Sequence, residues 1–175
     1  MVHCDPIWFA DGSNATTMAY RILILNGPGL ADLRDDEGHF QQGLTLARIR
    51  DECARLCRSL DMEADFRQTD DQQEMVDWIA KDGAGFDGIV INPAGYSRAA
   101  TVSLPAHLSA FQMKALLGKP VIEVHIENIF SDGAATAQPM HEPEVDLGFV
   151  CGLGVQGYLI AIRSIAHRLH SNEAH

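Results

Sequence analysis

The chain of 175 residues is 46% hydrophobic and 21% charged, enough for one compact domain with a sizeable core and too short for two ordinary ones. Its formal net charge of −11 argues against nucleic acid or an anionic membrane as the main partner. No apolar run approaches the ~18 to 20 residues of a membrane span. The first twenty residues lack the basic start and apolar core of a secretory signal, so a cytoplasmic protein is expected.

Residues 1–19 read as an N-terminal extension, a mobile arm or a segment packed on a neighbouring subunit, ahead of a single domain over 20–170. Tyr20 to Leu25 (YRILIL) reads as a strand that stops at the turn Asn26-Gly27-Pro28-Gly29. Thr45 to Leu60 has a helical period, with apolar residues at 46, 49, 53, 56, 57 and 60. Glu63 to Arg67 is a second strand, and Gln72 to Lys81 a helix with Met75, Trp78 and Ile79 inward. Gly88 to Ile91 forms a third strand, ending in Asn92-Pro93-Ala94-Gly95. A helix near Ala100 to Leu117 precedes a fourth strand at Pro120 to Ile126. Residues 131–146 read as a loop, Gly148 to Cys151 as a fifth strand and Val155 to Leu169 as the last helix.

Strand and helix in alternation imply right-handed crossovers and a parallel sheet covered on both faces. An α/β, flavodoxin-like, doubly wound sheet of five strands fits the length, with ligands bound beyond the carboxyl ends of the strands. The four cysteines contain no CxxC pair, so reduced structural thiols are expected rather than a thiolate zinc site. Gly152-Leu153-Gly154-Val155-Gln156-Gly157 has the look of a dinucleotide loop. It sits at the wrong end of the chain without a following acidic residue, and close packing of the last helix explains it better.

Glu123, His125 and Glu127 alternate along one predicted strand and project to the same side. A carboxylate two residues from a histidine can hold the imidazole in one tautomer, which suits a general acid or base near neutral pH. The spacing is not a recognised metal-ligand motif. Asn26 and Asn92 each end a strand and open a Gly/Pro turn, where an amide can donate to a developing oxyanion or hold a water.

Together these segments resemble the type II 3-dehydroquinate dehydratase family, over about Tyr20 to Leu169. The resemblance is carried by ILILNGPGL (22–30), FRQTDDQQEMVDWI (66–79), IVINPAGYS (89–97), KPVIEVHIEN (119–128) and GFVCGLGVQGYLIAI (148–162). It implies the flavodoxin-like sheet, a trimer-based dodecamer, no metal or organic cofactor, and a small-molecule substrate. The implied reaction eliminates water from a cyclic β-hydroxy ketone: a tyrosinate beside an arginine takes the proton next to the ketone. Asparagine and a bound water stabilise the enolate, and a histidine paired with a glutamate protonates the departing hydroxyl. Asn26, Asn92, Glu123 and His125 match that pattern, while Tyr96, Ser97, Arg98, Ile126 and Glu127 fall around the substrate.

The sequence also departs from the family pattern. Gly29 replaces the second asparagine of the first turn; Asp36 and Gln41 (or Phe40, one register away) occupy the arginine and tyrosine positions. Arg98 replaces a histidine, Glu127 a serine, and Asp132 and Thr136 two arginines. Neither Gln41 nor Phe40 has a titratable proton, and Glu127 places negative charge where a substrate carboxylate would dock. The expectation is therefore an enzyme of this family with a remodelled site, acting by lyase or hydrolase chemistry on a small cyclic oxo compound other than dehydroquinate. The alternatives are an authentic 3-dehydroquinate dehydratase with a different base, for which Tyr96, His39 and Tyr158 are candidates, or a non-catalytic binding or assembly homologue. For Tyr158, packing within the last helix is the favoured expectation.

Overall fold

The computed structural model describes residues 19–31, 33, 44–94, 118–130 and 147–172. The strands are β1 (Tyr20–Asn26), β2 (Met62–Gln68), β3 (Gly88–Asn92), β4 (Val121–His125) and β5 (Leu147–Cys151). The helices are α1 (Leu46–Ser59), α2 (Gln72–Asp82) and α3 (Val155–Asn172), and a 3₁₀ turn over Gly83–Gly85 follows α2. All neighbouring strands pair in parallel, in the order β2-β1-β3-β4-β5. That order is the flavodoxin-like doubly wound sheet, whose direction of winding reverses between β1 and β3. The fold expected from the alternation of elements is the fold observed. The helix expected near Ala100 to Leu117 and the loop at 131–146 lie outside the described residues.

Helices α1 and α2 each start where a side chain accepts from an otherwise unpaired N–H. Thr45 caps α1 by accepting from the Arg48 N–H at 3.2 Å, and Asp71 caps α2 by accepting from Gln73 at 2.8 Å. The α1 residues that meet the sheet are Ile49, Cys53, Leu56 and Cys57, one stripe at helical spacing.

Alternation along the strands sorts the core into two layers. Ile22 and Ile24 of β1, Val90 of β3, and Ile122 and Val124 of β4 pack with α1 and α3. Leu23, Leu25, Ile89, Ile91 and Val121 face the other way, against Met75, Val76 and Ile79 of α2. Ile22 through Leu25 are all fully buried, each side chain contributing ~1.5–3 kcal/mol of burial. Gly157 lets α3 lie close to the sheet: a Cβ there would stand 3.1 Å from Val124 Cγ1. This agrees with the packing role expected of the Gly152–Gly157 segment. Gly152 and Gly154 serve differently, taking positive φ of 77° and 56° in the turn that leads into α3.

Candidate active site

The layer rule carries through to the ends of the strands. Asn26 continues the parity of Ile22 and Ile24, and Asn92 that of Val90, so both amides belong to the face covered by α1 and α3. They are register partners, the last pair between β1 and β3. Tyr158, fully buried on α3, reaches both. Its hydroxyl donates to Asn26 Oδ1 at 2.7 Å and accepts from Asn92 Nδ2 at 2.6 Å. The Asn26 amide also donates to the Arg67 carbonyl of β2 at 2.9 Å, and Asn92 Oδ1 accepts from the Ala94 N–H at 3.0 Å. Ala94 holds a left-handed φ of 46°, a conformation an alanine keeps only where its surroundings impose it.

Glu123 and His125 have the opposite parity to Ile122 and Val124. The Glu123 side chain is fully buried and His125 is 3% exposed. Nε2 of His125 lies 2.5 Å from Glu123 Oε1. A carboxylate accepts, so the imidazole donates to it from Nε2. The imidazole rests against Phe149 of β5, ring centroids 5.6 Å apart, and Phe149 in turn against Phe130 at 6.1 Å.

A cleft of about 300 Å³ opens at the carboxyl edge of the sheet. Pro28, Gly29, Leu30 and Leu33 line it after β1, Asn92 and Ala94 after β3, and His125, Ile126, Glu127 and Ile129 after β4. Its floor is tightly built: the Gly27 N–H donates to the Asn92 carbonyl at 2.8 Å, and Gly29 N–H to Asp70 at 3.1 Å. The carbonyls of His125 and Ile126 accept from Gly152 and Gly154, at 3.2 and 2.9 Å.

The cleft thus brings together Asn92, His125, Ile126 and Glu127, with Glu123 behind the histidine. One expectation changes. β4 ends at His125, so Glu127 is not a third residue on one strand face; it sits in the bend that follows, exposed at the rim. Asn26 is fully buried, absent from the cleft lining, with its amide held by Tyr158 and Arg67. Tyr158 is buried as the apolar residues around it implied, and burial pushes its phenol well above the ordinary tyrosine value. Tyr96, Ser97, Arg98, Asp36, His39, Phe40, Gln41, Asp132 and Thr136 lie outside the described residues.

The Tyr158 bridge was not anticipated from sequence. Its signal was present: Tyr158, Ala161, Ile162 and Ile165 form one inward stripe of α3, on the face that strand parity assigns to both asparagines. Burial also holds the two α1 thiols in the protonated form, Cys53 pushed up to about 12 and Cys57 to about 11, which fits structural cysteines. Among the described residues no group of three or more His, Cys, Asp and Glu side chains is placed to hold a metal ion. Nor is any described helix long and apolar enough to cross a membrane.

Comparison with known proteins agrees with this fold. The family model for dehydroquinase class II matches residues 20–166. A 3-dehydroquinate dehydratase of Mesorhizobium japonicum is 37% identical over 148 residues, covering 85% of this chain and 98% of the relative. The 3-dehydroquinate dehydratase 2 of Pseudomonas aeruginosa is 35% identical over 154 residues, 88% of this chain and 99% of that one. Among solved structures, the type II dehydroquinase of Propionibacterium acnes superposes with a TM-score of 0.69 at 31% identity, covering 86% of this chain and 98% of that chain. A 3-dehydroquinate dehydratase-like protein from Bifidobacterium longum gives 0.60 at 28% identity, over 86% and 98%. Matched along most of its length by family, relatives and fold alike, this chain belongs to the class II dehydroquinase family of hydro-lyases.

Proposed function

We propose that this protein is a 3-dehydroquinate dehydratase in which His125, backed by Glu123, is the general acid that protonates the departing hydroxyl. The buried Nε2–Oε1 pair at 2.5 Å, on a histidine that lines the cleft at the carboxyl edge of the sheet, is the observation that supports it most. A histidine oriented by a carboxylate can give up a proton on the cleft side and recover it between turnovers. Asn92, on the same cleft, is the donor for the oxygen that gathers charge when the carbon-bound proton leaves. The elimination balances without a cofactor: a base removes one proton, the electron pair moves through the enolate, and hydroxide leaves as water with the proton from His125. The base is a group other than residue 41, since glutamine has no titratable proton.

Following enone absorbance on addition of 3-dehydroquinate tests this directly. Turnover that drops at least ~100-fold in His125→Gln is expected; wild-type protein without turnover refutes it.

A second reading, a different cyclic oxo substrate, is favoured by one observation. Glu127 lines the rim of the cleft, where its carboxylate repels an acid and accepts from a neutral or cationic group.

A further inference from the structure

We propose that Tyr158 is a positioning residue, which acts through Asn92 by fixing the direction in which that amide points. The inference rests on the reading of Asn92 as donor to the developing enolate oxygen.

The direction follows from two backbone groups whose polarity cannot change. The Arg67 carbonyl only accepts, so the group 2.9 Å from it is the Asn26 NH₂. Asn26 Oδ1 is thereby turned toward Tyr158, 2.7 Å away, and the hydroxyl must donate its single proton there. Having spent that proton, Oη can only accept, so the atom of Asn92 at 2.6 Å is Nδ2. At the far end the Ala94 N–H only donates, and it meets Asn92 Oδ1 at 3.0 Å. Read from either end, the chain gives one consistent orientation.

One N–H of Asn92 is used by Tyr158. The second remains, on a residue that lines the cleft. An amide turned by half a circle would offer a carbonyl there instead and repel the very charge it is to stabilise. Tyr158, on the same face of the sheet as the Asn92 amide and absent from the cleft lining, prevents that turn. Burial of the phenol keeps its proton in place throughout the working pH range, so the chain does not reverse.

The test uses full-length Tyr158→Phe, with Ile162→Val, a buried core change on the same helix, as the packing control. The proposal expects kcat on 3-dehydroquinate to fall about 10- to 100-fold in Tyr158→Phe, with KM within about twofold and the control near wild type. Side-chain amide NMR supplies a readout that needs no substrate, the Asn92 pair being identified by its loss in Asn92→Asp. In Tyr158→Phe that pair is expected to shift and to exchange with water about tenfold faster or more. If Tyr158→Phe does not fold, Asn26→Ser frees the same hydroxyl and is expected to give the same losses. Wild-type kcat in the folded variant, or unmoved Asn92 amide signals, overturns the proposal. Wild-type protein without turnover rejects the functional reading instead, and the amide signals alone then decide the role of Tyr158.

Discussion

Gly27 and Pro93 meet so closely that a Cβ added to the glycine would stand 2.5 Å from the Pro93 carbonyl oxygen. The crossing lies where the winding of the sheet reverses, and it holds the turn after β1 against the turn after β3. Gly27→Ala must push the two turns apart, because the obstructing atom is backbone and cannot rotate away. An overpacking cost of about 2–3 kcal/mol is expected, or a fall in melting temperature of roughly 5–10 °C for a chain of this size. Turnover falls with it, since the Asn92 carbonyl is the acceptor for the Gly27 N–H.

The His125–Glu123 pair separates chemistry from folding through the choice of replacement. His125→Ala removes one hydrogen-bond partner of a fully buried carboxylate and is expected to cost about 1–3 kcal/mol in denaturant titration. His125→Gln keeps a donor for Glu123 and is expected to lose less stability. Both lose turnover by about 100- to 10,000-fold, because neither side chain can deliver a proton. Equal activity of His125→Gln and wild type would remove the histidine from the mechanism.

Gly29 has a φ of +79° and open space where a Cβ would go. Asparagine tolerates that conformation better than any other side-chain-bearing residue, and valine does not. Gly29→Asn is therefore expected to fold with little change in melting temperature, whereas Gly29→Val loses about 1–2 kcal/mol. Asparagine is also what the family pattern has at this position, so the same variant is expected to raise turnover of 3-dehydroquinate. Kinetics and calorimetry on the two variants check both statements.

Glu127 at the rim decides between the two substrate readings. Glu127→Ser removes a carboxylate from the cleft rim, so on the proposed reaction KM for dehydroquinate is expected to fall about threefold or more at low salt. The difference shrinks as ionic strength rises. A rise in KM would mean that the carboxylate takes part in binding, which favours the neutral or cationic substrate.

Cys53 and Cys57 give a pH dependence with a definite sign. An ordinary thiol titrates near 9.0, while in the folded chain burial moves them to about 12 and about 11. The unfolded chain therefore binds fewer protons than the folded one in this window. Their contribution is fully present below pH 9 and is lost as the pH rises towards 11, by up to about 1.4 kcal/mol per thiol for each pH unit. Urea titrations at pH 8, 9 and 10 measure it. At pH 8 neither thiol is expected to react with iodoacetamide until denaturant is added.

The architecture was legible because it depends on local signals that repeat. Runs such as Ile22 to Leu25 and Gly88 to Ile91, alternating with the helical stripe at 49, 53, 56 and 57, admit few arrangements other than a wound parallel sheet. The Glu123/His125 pair was legible for the same reason, since two residues apart on a strand is one face. Glu127 was misplaced because alternation was carried one step past the strand, into a bend where parity no longer holds. The partner of Asn26 and Asn92 was missed because it lies 132 and 66 residues away in the chain, and long-range pairing of that kind is set by tertiary packing.

The last helix and the turn before it supply Tyr158 and the N–H groups that hold the carbonyls of His125 and Ile126. A chain cut short before α3 would lack the hydroxyl that joins Asn26 to Asn92, and would leave Ile22, Ile24 and Val90 without the helix that covers them.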